Sequence, residues 1–252
     1  MRKITYSAPS VKKAFKILYA ISDSSDGLGI SDLSKKLKIG KSTVHGITTA
    51  LEELGVLVRD PVYKRYTVGY SLRELCRTAN AKIDLKDIAR KPMEKLMGKV
   101  GETVFLGVLN GDHVTIVDMV ESRNEMKITS PPGTRLPLLA GATGRVLLSQ
   151  IEKEKSKEMI QKKGLVRYTS KTVIDQRQFL REIEKVKGQG YAVDDEEYIP
   201  GVRAVAAPLM FPSSPPAALW VVGFTSTLDD QKVKTVIREI QEAVREIKEF
   251  PR

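Results

Sequence analysis

The sequence predicts an α+β protein in two parts, a small helical one followed by a larger one built on an antiparallel sheet. Three observations carry this. Residues 10–55 place apolar side chains at helical 3/4 spacing, interrupted by Gly- and Ser-containing turns. From Glu102 onward the pattern changes to short β-branched runs, the first two joined by Asn110-Gly111-Asp112, a strong hairpin signal. Charge divides along the same line: residues 1–82 carry 15 Lys and Arg against 7 Asp and Glu, the remainder 27 against 24, in a chain of net charge +11. At ~150 residues per domain, 252 residues suit one large or two ordinary domains.

Residues 10–22, SVKKAFKILYAIS, read as a first helix with Val11, Phe15, Leu18, Tyr19 and Ile21 on its apolar side and Ser10 as its cap. DSSDGLG is a loop by composition. A second helix follows, with Ser31 as N-cap and Leu33, Leu37 and Ile39 turned inward; Gly40 breaks it. The third runs from about Lys41 to Leu54, burying Val44, Ile47, Leu51 and Leu54, and Gly55 ends it. Two short helices with a Gly-containing turn are the spacing of a helix-turn-helix, whose second helix enters the DNA major groove. The candidate contacts on it are Lys41, Ser42, Thr43, His45 and Thr49, all short donors or cations suited to phosphates and base edges.

Val56–Val58 and Tyr66–Val68 read as two strands around an Asp60-Pro61 turn, a wing behind the recognition helix, with Lys64 and Arg65 placed to reach phosphates or the minor groove. A winged helix-turn-helix over 1–70 and an excess of cations in the same third of the chain predict salt-dependent binding to double-stranded DNA. Residues 71–83 are expected to be a linker helix, with Leu72 and Leu75 available for pairing two copies, and 84–252 the second domain. Asp84 is a candidate cap for the next helical stretch, and Pro92 either kinks that stretch or opens a separate helix.

The second domain opens with strands Val104–Leu109 and His113–Val120. KITSPPGTRLPL follows as a strand and a Pro/Gly loop, then LLAGATGRVLLSQI as a small-residue loop entering a helix. Two charged helices come next, then GYAVDDEEYIPGVRAVAAPLM with a turn and a buried strand, and AALWVVGFTST as a late apolar strand. Residues 229–249 form a terminal helix with Val233, Val236, Ile237, Ile240, Val244 and Ile247 on one face.

Enzyme chemistry finds little support. The two histidines, His45 and His113, fall in different parts of the chain, Cys76 reads as a buried structural thiol, and the adjacent acids of the DDEE segment read as solvated. No phosphate-binding glycine loop or zinc spacing is present, so neither cofactor nor metal is expected. A single cysteine and the lack of a leader or a ~20-residue apolar run suit a cytoplasmic protein that does not enter a membrane.

Four stretches in order, GKSTVHGITTALEELG, GETVFLGVLNGDHVTIVDMVES, PGTRLPLLAGATGRVLLS and GYAVDDEEYIPGVRAVAAPL, make the chain resemble the IclR family of bacterial and archaeal transcriptional regulators. The resemblance implies a C-terminal GAF-like domain, a curved antiparallel sheet flanked by helices, that binds a small metabolite and modulates operator binding. It implies homodimers, often paired into tetramers, on a pseudo-palindromic operator. Gly46 stands where members commonly carry arginine. The family's effector pocket falls on Ala140, Gly141, Ala142 and Thr143 of the AGATG loop, on Asp194 with Glu197, and on Ala204, Gly223 and Thr225 of the strands. With one hydroxyl among those strand positions, the expected effector is an organic acid with an apolar body. The alternative is a winged-helix regulator whose second domain serves oligomerisation or protein contacts, with no small effector.

Overall fold

The computed structural model describes residues 8–79, 85–211 and 215–250, with the side chains of 76, 77 and 79 left aside. The expectations for Asp84 and for the Cys76 thiol lie outside the described residues. The chain divides into two compact units, Met1–Lys82 and Ile83–Arg252.

In the first unit, helices α1 (Pro9–Ser22), α2 (Ile30–Leu37) and α3 (Lys41–Glu53) precede a hairpin of β1 (Leu57–Arg59) and β2 (Tyr66–Val68), then α4 (Tyr70–Ala79). Leu57 pairs with Val68 and Arg59 with Tyr66, and Leu28 bridges to Tyr66 from the other side. Ile17, Ile21, Leu33, Val44, Leu57 and Tyr66 form the core. The helix starts differ from expectation. α1 begins on Pro9, whose missing N–H costs nothing at that position, so Ser10 is not its cap. Gly29 is the N-cap of α2, its N–H donating to the Asp32 carboxylate at 3.2 Å, which leaves Ser31 inside the helix.

Two burial expectations also change. The inward face of α1 is Ile17, Ala20 and Ile21, while Val11 and Phe15 point to solvent. Of the expected side, Ile21 is core and Leu18 packs against it, while Tyr19 is exposed like Val11 and Phe15; the helix is apolar on more than one side, and periodicity alone does not separate them. Leu54 is the exposed C-cap of α3 rather than part of the core.

The second unit opens with α5 (Leu85–Val100), one helix running through a buried Pro92 rather than two pieces. A six-stranded antiparallel sheet follows, in the order β5 (Arg135–Pro137), β4 (His113–Val120), β3 (Thr103–Asn110), β8 (Ala217–Phe224), β7 (Val202–Leu209), β6 (Ala192–Asp195). The KITSPPGTRLPL strand sits at Arg135–Pro137, after the Pro/Gly turn rather than before it. GYAVDDEEYIPGVRAVAAPLM supplies two strands, β6 and β7, paired across the acidic turn.

α5 and α9 (Asp230–Glu249) cover one face, with Leu106, Val205, Leu219 and Val221 beneath Met93, Leu96, Val236 and Ile240. The other face carries α6 (Gly141–Leu148), α7 (Lys153–Lys163) and α8 (Gln176–Gln189), packed on Phe105, Ile116, Ala206 and Trp220. Each strand therefore sends alternate residues to two apolar layers, so consecutive positions of β8 serve different cores.

Gly46 lies on the exposed face of α3, and a Cβ there would meet nothing within 4 Å. Gly46→Ala is therefore expected to stabilise the first unit by about 1 kcal/mol through helix propensity alone. Urea unfolding followed by circular dichroism checks this; a destabilised variant would contradict it.

Candidate functional sites

On the DNA-binding unit, Lys41, Ser42 and His45 are exposed at the start of α3, and Thr43 and Thr49 are half-buried on the same helix. The Thr49 hydroxyl lies 3.5 Å from His45 Nδ1, and the buried Thr48 donates to the His45 carbonyl at 3.0 Å. Lys64 and Arg65 are exposed where the wing turns back. The structure thus places every DNA-contact candidate on α3 or the wing, each at least partly accessible.

In the second unit, a cavity of about 230 Å³ opens between the sheet and the N-terminus of α6. Phe105, Ile116, Ala204, Trp220 and Val222 form its sheet side, Ala140, Ala142 and Thr143 its α6 end. Asp194 and Tyr198 reach it from β6 and the acidic turn. Phe105 and Trp220 stack, with ring centroids 5.5 Å apart and planes 14° from parallel, so the sheet side of the cavity is aromatic. Ala140 offers α6 no side-chain cap. The first N–H groups of that helix, with the positive end of its dipole, are therefore suited to an anion.

Asp194 is almost fully buried, its Oδ1 accepting the Glu197 N–H at 2.6 Å. Burial pushes its carboxyl up to about 6, and the Glu197 carboxylate adds to the rise; the backbone N–H and the Arg145 guanidinium act the other way. Asp194 packs against Gly141, at φ +59, where an added Cβ would stand 2.0 Å from Asp194 Oδ2. Glycine is required there by both the close approach and the left-handed backbone.

The strand positions need correction. Ala204 lines the cavity, but Gly223 and Thr225 do not; Trp220 and Val222 line it instead. A Cβ on Gly223 would strike the Glu102 side chain, on the α5/α9 side of the sheet. The error is one of parity, because in a strand buried on both faces a shift of one residue exchanges one layer for the other. Gly141 shapes the cavity through Asp194 rather than lining it.

The acidic segment is only partly solvated: Asp194 is buried and Glu197 nearly so, while Asp195 and Glu196 stay partly exposed in ion pairs. Arg145, buried in α6, grips Glu197 with two parallel bonds of 2.9 and 2.8 Å and donates to the Val193 carbonyl at 2.6 Å. Lys171 bonds Asp195 and Glu196, and Arg203 bonds Asp195. Arg145, Phe105, Trp220 and Tyr198 were missed by sequence reasoning. Only the flanking apolar run of GATGRVLL hinted that its arginine is internal.

Among the described residues no group of His, Cys, Asp and Glu could hold a metal ion, and no helix is long and apolar enough to cross a membrane.

Two family models match the chain. Residues 10–61 match the IclR helix-turn-helix domain, and residues 77–249 the C-terminal domain of the bacterial transcriptional regulator IclR. The chain belongs to the IclR family. Among its curated relatives is the HTH-type transcriptional regulator BhcR of Paracoccus denitrificans, 31% identical over 94% of this chain and 85% of that protein. The crystal structure of the Thermotoga maritima IclR superposes with a TM-score of 0.65 at 28% identity, covering 95% of this chain and 97% of that one. An IclR homolog from Microbacterium hydrocarbonoxydans, crystallised with 4-hydroxybenzoate, shares the fold at a TM-score of 0.77 and 22% identity, covering 94% and 97%. As an IclR-family member this chain is a DNA-binding transcriptional regulator, not an enzyme.

Asp194 supplies a test independent of any ligand. Its folded-state pKa of about 6 lies above the ordinary carboxyl value of 3.8, so its contribution to stability is full below pH 4 and lost as pH rises through 6. The loss is about 2–3 kcal/mol. Unfolding curves of the wild type and Asp194→Asn between pH 4 and 8 should diverge in favour of the variant up to about pH 7, then run parallel. A constant difference across that range would show that Asp194 titrates normally.

Proposed function

We propose that this regulator binds a pseudo-palindromic operator as a homodimer through α3 and the wing, and that a small organic acid in the second unit modulates that binding. Residues 1–70 read the DNA, 71–83 connect, and 84–252 hold the effector. The observation that carries the effector reading is the cavity itself: an apolar chamber with one carboxyl and a helix N-terminus at its polar end. Ala142 and Thr143 at that end would take the acid's carboxylate on backbone N–H groups. The Phe105–Trp220 wall takes an aromatic or aliphatic body, as the relative crystallised with 4-hydroxybenzoate supports.

Asp194 then accepts a bond from a ligand hydroxyl or is protonated beside the carboxylate. Pairing of two copies is supported by exposed Val11 and Phe15 on α1 and by Tyr70 and Leu75 on α4. Such a dimer presents two recognition helices about one DNA turn (~34 Å) apart, or a multiple of it. Pairing of dimers into tetramers is part of the same proposal.

Lys41, Ser42, Thr43, His45 and Thr49 are assigned to bases and adjacent phosphates, and Lys64 and Arg65 to phosphates. Operator affinity should fall steeply with salt, with a log–log slope of about −0.9 per phosphate neutralised. Alanine at Lys64 and Arg65 should flatten that slope by about two phosphates' worth across all sequences. An unchanged slope would remove the wing cations from the interface.

Trp220 is the one tryptophan of the chain and lines the cavity, so its emission should report effector entry. Titration with a panel of aromatic and aliphatic monocarboxylates, 4-hydroxybenzoate among them, should shift Trp220 emission in the wild type. Ala204→Phe, which fills the chamber from β7, should abolish the shift while leaving operator binding intact. Equal binding by both proteins would place the effector elsewhere. No response to any acid would favour a second unit used for protein contacts.

A further inference from the structure

The wing ends in a feature that salt-dependent phosphate binding does not use. Between β1 and β2 the chain reads Asp60-Pro61-Val62-Tyr63-Lys64-Arg65. Asp60 closes this turn: its N–H donates to the Arg65 carbonyl at 2.8 Å and its carbonyl accepts the Lys64 N–H at 3.0 Å. Its carboxylate accepts the Val62 and Tyr63 N–H groups at 2.8 and 2.7 Å. Pro61 restricts the backbone further, and Lys64 takes a left-handed conformation at φ +56. The tip is thus held by its own hydrogen bonds, with the one negative charge turned onto the backbone.

This closed turn carries Val62 and Tyr63 outward, 75% and 76% exposed, the two most exposed large apolar side chains among the described residues of the DNA-binding unit. A wing tip needs no apolar residue to close its turn, and neither side chain joins the core of its unit. Their setting selects the partner. Lys64 and Arg65 follow directly and are exposed, and Lys41 and His45 are exposed on α3 of the same unit. An apolar tip flanked by cations matches a groove whose rims are phosphates and whose walls are deoxyribose, rather than the apolar face of another protein. The minor groove is ~6 Å wide and admits a tyrosine ring edge-on; apolar side chains placed there part base steps.

We propose that Val62 and Tyr63 form an apolar wedge that enters the minor groove beside the bases read by α3 and opens a deformable base step there. The wedge adds sequence preference through the ease of unstacking, at a position where no side chain hydrogen-bonds a base edge. It rests on the reading of α3 as the DNA-contacting helix, which recovery of a bound duplex by the wild type tests separately.

The experiment uses the full chain and a duplex recovered by the wild type from a random-sequence library, with 2-aminopurine placed singly at successive positions. Wild type should raise the fluorescence of one or two adjacent positions in each half-site, marking the opened step. Val62→Ser/Tyr63→Ser should lose that signal and bind about ten- to hundredfold more weakly, with the salt slope unchanged because no phosphate contact is lost. Tyr63→Phe, which keeps the ring, should retain both signal and affinity. Both substituted side chains, Val62 and Tyr63, are solvent-facing, so equal melting temperatures verify the fold. Unchanged affinity and fluorescence in the double variant would overturn the proposal, as would a loss of affinity accompanied by a flattened salt slope.

Discussion

Arg145 and Glu197 meet inside the second unit through two parallel hydrogen bonds, and the polar end of the cavity depends on that fork. Arg145 belongs to α6, whose N-terminus closes one end of the cavity. Glu197 belongs to the acidic turn between β6 and β7, and its own N–H holds the Asp194 carboxylate. The loop before α8 is tied to the same turn, with Thr169 donating to the Glu196 carbonyl at 2.7 Å and Thr172 to that of Glu197 at 2.6 Å. One ion pair therefore sets the spacing of a helix, a strand end and a loop. Its net contribution to stability is small, because desolvating both ions offsets their attraction; breaking it from one side is costly, because a buried charge is stranded.

The chemistry of the cavity follows from this frame. Asp194 is pressed against the Cα of Gly141, where no other residue fits, and burial raises its pKa toward neutrality. The polar end thus couples a helix N-terminus that favours an anion with a carboxyl that disfavours one unless protonated. Along the sheet, Ala204, Trp220 and Val222 offer area and no hydrogen bonds. That balance suits an acid with a substantial apolar body better than a two- or three-carbon acid, whose polar groups would go unmatched against such walls.

Much of the first unit was legible because its signals are local. Gly40 and Gly55 bracket α3, and Asp60-Pro61 marks the wing turn. The α1 stripe holds only in part, at Leu18 and Ile21, because exposed Val11, Phe15 and Tyr19 share the helix with the core face at Ile17, Ala20 and Ile21. In the second unit the Gly111-centred hairpin and the terminal helix were plain, whereas the cavity was not. In β8 every residue from Ala217 to Val221 is buried, so no alternation distinguishes the cavity face from the α5/α9 face. Gly223 and Thr225 are what the family resemblance implies, and the unbroken burial of β8 offers no alternation by which the sequence could correct their parity. Likewise the burial of Asp194 and Glu197 is not legible in the acidic run itself, because Arg145, the partner of Glu197, is distant in sequence.

The account stands most directly on the coupling between Arg145 and Glu197. A double-mutant cycle with Arg145→Met and Glu197→Leu, in the full chain, can be followed by the emission of Trp220, which lies in the same unit. Each single replacement should cost about 3–5 kcal/mol in urea unfolding, and the double variant much less than their sum, leaving a coupling of several kcal/mol. Additive single effects, with a coupling near zero, would contradict the claim that this buried fork holds the cavity together.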